Sequence, residues 1–210
     1  GIVIAEQTTF YPGGIASTNW QRDTYVQQIV ELTIPPFTPP LDYQVIVGLY
    51  DSETGERVDV LNERGNPIGI EVNITTLTVI RPEMPSAPDD LPVPIISAQG
   101  FDLLALDGLP ESAQVGDEII ISWLWRRNNE GEAISPAIVW ETESIVINEI
   151  IPDYPLSQWQ DGDIWRAYQR FYVPAPLEER LYPLSIRLGT QQVNLNQFMQ
   201  ITVPEREFEI

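Results

Sequence analysis

A gapless internal repeat constrains this chain more than any other feature of its sequence. Residues 20–49 match residues 159–188 at a constant offset of 139 residues. Apolar and aromatic residues meet their own kind throughout: Trp20 falls on Trp159, Val26 on Trp165, Leu32 on Phe171, Ile34-Pro35 on Val173-Pro174, Tyr43 on Tyr182, Val45 on Leu184, Val47 on Ile186 and Leu49 on Leu188. Because such a match is hard to obtain by chance, we interpret the chain as two copies of one module.

Each copy has the pattern of paired β-strands. Between Thr24 and Ile34, Val26, Val30, Leu32 and Ile34 share one face of a strand, and apolar residues recur at every second position from Tyr43 to Leu49. Four prolines separate the two runs. The apolar run Ile2–Ala5 also predicts a strand. Nineteen prolines and thirteen glycines favour short strands joined by turns. We predict an all-β fold of two tandem antiparallel β-sandwich domains of the immunoglobulin-like type.

A proline-rich segment marks the domain boundary. Residues 81–94 carry five prolines and three acidic residues without alternation, which predicts a stiff linker. The first module then spans 1–80 and the second 95–210. Only 19 residues precede Trp20, whereas 64 residues lie between the linker and Trp159. The first module is therefore short by about 45 residues, or roughly three or four strands, and we predict that it lacks its N-terminal strands.

A sandwich without these strands would expose an apolar face and an unpaired edge. An upstream part of the same polypeptide, a neighbouring copy or a different subunit could supply them. Alternatively, residues 1–19 and the hairpins between Asp51 and Ile80 complete a smaller domain. Two apolar segments could pair with an open edge of a neighbouring chain. Their residues are our predicted partner-binding set: Ile2, Val3, Ile4, Phe208 and Ile210.

The charge and the missing residue types limit the function. There are 31 acidic and 11 basic residues, a net charge of −20, and every basic residue is arginine. Such a chain repels phosphate backbones, so nucleic acid and anionic membrane surfaces are poor partners, and we predict that it binds no nucleic acid. Without histidine, cysteine or lysine it cannot build a Ser-His-Asp triad, a cysteine nucleophile or a histidine zinc site. A paired-carboxylate glycosidase would need only two acids, but the sequence shows no sign of a cleft, and we predict no enzyme activity.

Two acidic turns are the candidate metal sites. Asp51, Glu53 and Asp59 surround the first hairpin, and Asp161 and Asp163 precede Trp165. Calcium takes six to eight oxygen ligands, and neither cluster has the spacing of a known calcium loop. Acidic residues also stabilise turns directly, which is the alternative interpretation. Calcium is the only cofactor that the sequence suggests.

A tryptophan-containing strand offers a second kind of candidate site. From Glu118 to Trp125, Trp123 and Trp125 share one face with two isoleucines, while the other face carries Ile120 and Leu124. Two apolar faces predict a central strand covered on both sides, or one whose outer face meets a partner. Trp123 and Trp125 could stack on sugar rings if exposed, or fill the core if buried.

Several motifs together resemble β-sandwich modules from extracytoplasmic regions of membrane glycosyltransferase-like proteins of filamentous green bacteria (Chloroflexota). The motifs are Gly100-Phe101-Asp102-Leu103, Val115-Gly116-Asp117-Glu118-Ile119, the run from Tyr154 to Asp163 with the pattern Y-P-x-S-x-W-x-x-G-D, and the hairpin from Leu49 to Arg57. The second copy departs from this pattern, because Leu188-Gly189-Thr190 replaces the hairpin. The resemblance implies an exported accessory or structural role.

These observations lead to two functional expectations. The first is a non-enzymatic structural or interaction protein outside the cytoplasm, self-associating as a cell-surface or filament subunit through strand exchange. The alternative is a carbohydrate-binding or accessory domain of a membrane glycosyltransferase-like protein. No apolar run approaches the roughly 18 residues that would span a bilayer. The chain begins with glycine and has no basic n-region, so we expect it to be processed or cut from a longer protein.

Overall fold

The computed structural model describes the chain except for residues 1, 52, 83–90, 99, 129–135, 141–145, 150–153, 176 and 205–210. The described part is all-β and contains no α-helix, as predicted. The chain divides into two compact units. Unit 1 consists of residues 3–35 and 40–80, and unit 2 of Ile2, residues 36–39 and residues 81–210.

Unit 1 has two small antiparallel sheets of two strands each. Its strands are β1 (Asp42–Val47), β2 (Val60–Leu61), β3 (Pro67–Gly69) and β4 (Val72–Thr78). β1 pairs with β4 in a register that begins at Asp42 opposite Thr78 and shifts by one residue after Val45. β2 pairs with β3. Two 3₁₀ turns, Pro12–Gly14 and Ser17–Asn19, lie in the segment before β1.

Unit 2 has two larger sheets. Its strands are β5 (Ile96–Ala98), β6 (Phe101–Asp107), β7 (Ser112–Gln114), β8 (Glu118–Arg127), β9 (Pro136–Trp140), β10 (Val146–Glu149), β11 (Ile164–Tyr172), β12 (Arg180–Leu188) and β13 (Gln191–Thr202). One sheet has the order β10-β9-β12-β13-β7 and the other β11-β8-β6-β5. Each pair is antiparallel except β13 with β7.

The core of unit 2 follows the period-two alternation of its strands. β8 and β12 each bury every second residue, since successive side chains of a strand point to opposite faces. The buried rows are Ile119, Ile121, Trp123 and Trp125 on β8, and Tyr182, Leu184, Ile186 and Leu188 on β12. Both rows were predicted from the sequence.

The opposite face of β8 is covered at one end. Leu124 packs with Leu104 and Ile164 in a second buried cluster, against which Phe37 and Leu91 lie. The backbone of Phe37 also accepts a hydrogen bond of 2.7 Å from the Arg166 amide of β11. The prediction that β8 is covered on both faces therefore holds at Leu124, whereas Ile120 is exposed.

Burial differs sharply between the units. Every buried apolar side chain in the described part of the chain belongs to unit 2. Trp159 and Tyr182 are in the core, but Trp20 is 41% exposed. The alignment of Trp20 with Trp159 predicts matching core positions for the two tryptophans, and the exposure of Trp20 shows that this prediction is wrong. Tyr43, the counterpart of Tyr182, is half-buried.

Two predicted strands of the first module are absent. Residues 24–34 and residues 2–5 are described by the structure but contain no strand. The counterpart of residues 24–34 in unit 2 is β11, which pairs with β8 from Ile164 to Tyr172. The first module has no counterpart of β8, because β8 lies in the stretch that has no equivalent before Trp20. A strand needs a hydrogen-bonded neighbour, so residues 24–34 do not form one.

We expect core substitutions in the two units to differ in cost. Ile186→Ala should lower the free energy of unfolding by about 2–5 kcal/mol, because Ile186 is fully buried in unit 2. Ile74→Ala on exposed β4 should cost less than about 1 kcal/mol. Urea unfolding followed by tryptophan fluorescence and by amide hydrogen exchange in each unit would measure both. Equal losses of unfolding free energy in the two variants would contradict the difference in burial between the units.

Candidate functional site: an open groove in unit 1

An apolar groove of about 700 Å³ opens in unit 1 beside the end of β1. Apolar residues of its floor come from the N-terminal segment, from residues 28–32, from residues 46–50 at and after the end of β1, and from position 58. These are Val3, Ala5, Phe10, Pro12, Trp20, Val30, Leu32, Ile46, Val47, Leu49, Tyr50 and Val58. The volume is within the range of ligand sites, and a groove lined by so many exposed apolar side chains is unusual on a monomer.

The internal repeat explains why this groove is open. At the offset of 139 residues, Ile46 and Val47 correspond to Ser185 and Ile186 of β12, and Leu32 corresponds to Phe171 of β11. In unit 2, β9 pairs with β12 from Trp140 opposite Leu184 to Pro136 opposite Leu188, and β8 pairs with β11. The first module has no counterpart of either neighbour. The groove therefore lies beside the residues that would contact them.

One edge of β1, whose residues Ile46 and Val47 line the groove, has no strand partner among the described residues. The Val79 amide donates to the Leu41 carbonyl over 3.0 Å, so the backbone groups of Tyr43 and Val45 point to β4. By alternation, those of Gln44 and Ile46 point away from β4. Within the described residues, β4 is the only strand paired with β1.

The rim of the groove is acidic. Glu6, Asp51 and Glu53 line it together with one cation, Arg57, whose guanidinium is bound to Glu71 at 2.9 Å. The amides of Thr54 and Glu53 donate to the Asp51 carboxylate at 3.0 and 2.8 Å. These two backbone bonds lower the pKa of Asp51 below its ordinary value. Asp51 therefore keeps its negative charge to a lower pH than an ordinary aspartate does.

The predicted metal residues are dispersed. Asp51 and Glu53 belong to the turn at the groove rim, and Asp59 and Asp161 are exposed. Among the described residues, no group of three or more carboxylates is arranged to hold a metal ion. The Asp51 carboxylate acts instead as the acceptor that stabilises its own turn, which is the alternative interpretation of these acids.

Asp163 has a structural partner that the sequence did not reveal. Its carboxylate is 1% exposed and accepts hydrogen bonds of 3.1 and 2.7 Å from Arg81 and of 2.7 Å from the Gln160 amide. Arg81 also donates to the Tyr154 hydroxyl at 3.2 Å and to the Gln158 carbonyl at 3.0 Å. These bonds connect both ends of the Y-P-x-S-x-W-x-x-G-D motif. The motif therefore forms a corner of the fold.

The other motif acids have similar structural roles. Asp102, buried on β6, accepts bonds of 2.8 and 2.6 Å from Arg126 and of 2.7 Å from Asn128. Asp117 accepts a bond of 2.7 Å from the Gln114 amide and so closes the turn before β8. Our sequence reasoning missed both partners. The Arg-Arg-Asn run directly after the W-x-W strand was the available signal for the first.

The structure removes Trp123 and Trp125 as sugar-stacking candidates. Their side chains are 0% and 3% exposed, and their rings stack on each other with centroids 6.0 Å apart. A sugar could reach either face only if the core of unit 2 were unpacked. Their indole N–H groups, like that of Trp165, are buried and have no hydrogen-bond partner in the described structure. They are core residues.

The predicted partner-binding residues have different surroundings. Val3 is exposed and lines the groove of its own unit, and Ile2 and Ile4 are half-buried. None of these three residues lies in a strand. Phe208 and Ile210 lie outside the described residues.

A scan against protein-family models and a search of curated proteins both found no match. Over the residues with described positions, no helix has the length and apolar character needed to cross a membrane.

We expect the two acids of the second turn to differ in their effect on stability. Asp163→Asn should cost about 2–4 kcal/mol, because it leaves the Arg81 guanidinium without its ionic partner at a buried position. Asp161→Asn, two residues away and exposed, should change stability by less than about 0.5 kcal/mol. Thermal unfolding with and without calcium measures both effects. Calcium stabilisation that disappears in Asp163→Asn would contradict the structural role.

Proposed function

We propose that this chain is a non-enzymatic structural subunit that self-associates outside the cytoplasm, in a cell-surface or filament assembly. In this assembly, the groove of unit 1 receives a β-strand from another copy. One observation carries the proposal: the groove lies beside an unpaired edge of β1, where the repeat predicts the missing neighbours of the module.

The groove suits an extended peptide strand for two physical reasons. The outward backbone groups of Gln44 and Ile46 offer ladder hydrogen bonds, which supply affinity in strand addition. The apolar floor takes alternate side chains of the incoming strand, which supplies specificity. Unit 1 buries no apolar side chain among its described residues, so such a strand would give it a core.

A carbohydrate ligand is the second candidate. Three aromatic residues that line the groove, Phe10, Trp20 and Tyr50, are exposed and offer ring faces for stacking. Polar residues also line the groove, among them Gln7 and Glu53, so the hydroxyls of a sugar would find partners there. The unpaired edge of β1 beside the groove nevertheless favours a peptide strand. The resemblance to extracytoplasmic modules supports a location outside the cytoplasm for either candidate.

The proposal predicts a specific response to a charge in the groove. Leu49→Asp should weaken self-association at least tenfold, because the incoming strand would have to desolvate the new carboxylate. Leu49 is 55% exposed in the isolated chain, so the substitution should leave the folded monomer intact. Sedimentation velocity over a range of protein concentrations measures the association.

Ile68→Asp is the matched control. Ile68 lies on β3, is 64% exposed and does not line the groove, and the change in charge is the same. We expect its association to equal that of the unchanged chain. A chain that remains monomeric at all concentrations, or an equal loss in both variants, would overturn the proposal. Binding of a soluble glycan that is lost in Leu49→Asp would favour the second candidate.

A further inference from the structure

We propose that the strand that enters the groove is residues 205–210 of a neighbouring copy, an inference that rests on the proposed function. The sequence there is Glu-Arg-Glu-Phe-Glu-Ile, and these six residues lie outside the described part of the chain. In an extended strand, Arg206, Phe208 and Ile210 share one face and the three glutamates share the other. This segment has the alternation that a groove with an apolar floor requires.

The length of the segment matches the open edge. In unit 2, β9 contacts five residues of β12, from Leu184 to Leu188. The corresponding residues of unit 1 are 45–49, which include the groove residues Ile46, Val47 and Leu49. Six residues extend over about 20 Å, which is enough to follow this edge. Phe208 and Ile210 would then lie on the apolar floor.

The charges of the segment and of the groove rim are also complementary. Arg206 is the one basic residue of the segment, and the groove rim carries Glu6, Asp51 and Glu53. The glutamate row of the incoming strand would face away from the floor, towards solvent. Each copy has a net charge of −20, so long-range repulsion opposes association. We therefore expect association to strengthen between about 0.1 M and about 1 M salt, where the Debye length falls from about 10 Å to about 3 Å.

The chain around this segment favours a donor role. β13 ends at Thr202, and Pro204 lacks the amide needed to continue its ladder. The other apolar end segment is less available, because Val3 lines the groove of its own unit. A donor segment attached to unit 2 and an acceptor groove in unit 1 make a head-to-tail interface. Unless its rotation closes a ring, such an interface produces an open filament.

Paired substitutions in the full-length chain test the assignment. Phe208→Ser with Ile210→Ser removes the apolar row, and Glu207→Ser with Glu209→Ser changes the opposite row. We expect sedimentation velocity to show at least tenfold weaker association for the first variant. Association of the second should be unchanged or stronger, because two negative charges are lost. Equal association of the first variant and the unchanged chain would overturn the inference.

Comparison with Leu49→Asp separates the two proposals. If Leu49→Asp prevents self-association but the Phe208/Ile210 variant does not, the groove proposal stands, and the assignment of residues 205–210 as the donor strand fails. If only the Phe208/Ile210 variant prevents self-association, the groove is not the acceptor, and both proposals fail. If neither variant affects the assembly, both fail.

Cross-linking tests whether the donor comes from a second copy. The chain has no cysteine, so single thiols can be introduced cleanly. A Gln44→Cys chain is mixed with a Glu209→Cys chain of different tag mass and treated with a short bis-maleimide. We expect a product that contains one chain of each kind, and at least tenfold less product when Ile68→Cys replaces Gln44→Cys. A double variant that closes within one chain at high dilution, with no product between chains, would overturn the assignment to a second copy.

Discussion

Pairing between β8 and β11 is the interaction on which the rest of this structure depends. It runs from Glu118 opposite Tyr172 to Arg126 opposite Ile164, and it places Trp123 and Trp125 in the core of unit 2. A β-strand is not an independent object, because its backbone groups need a neighbour. The related sequence in unit 1, residues 24–34, has the same alternation without that neighbour, and it is not a strand. The same alternation thus forms a strand in unit 2, where β8 pairs with it, and forms no strand in unit 1, where that neighbour is missing.

The alternation of apolar and polar residues along the sequence predicted the features that depend only on residues close together in the chain. The all-β class, the alternating burial of β8 and β12 and the position of β1 follow from period-two hydrophobicity. The burial of Trp20 could not be predicted in this way, because it depends on strands that unit 1 does not contain. Val47 and Leu49 belong to the apolar row that the alternation assigned to the inward face, but only the structure shows that they line an open groove.

The acidic residues show what the sequence pattern could not predict, namely ion pairs between residues that are far apart in the chain. Asp161 and Asp163 are equivalent in a sequence reading, since both lie in one oxygen-rich turn. Asp163 differs because Arg81, which is 82 residues away in the chain, reaches its carboxylate. Asp102 differs in the same way through Arg126. Such pairings depend on the fold, so a sequence reading that considers only neighbouring residues treats Asp163 as a candidate metal ligand and finds no role for Asp102.

The ion pair at Arg81 also has a mechanical consequence. Arg81 is the residue at which the backbone passes from unit 1 to unit 2 after Ile80. Its guanidinium donates four hydrogen bonds, to Asp163, Tyr154 and Gln158. A tensile load that travels along the chain from Ile80 therefore reaches unit 2 at a clamped residue. The load is shared among three acceptor residues at a corner of the fold before it can reach the segment that leads to β5.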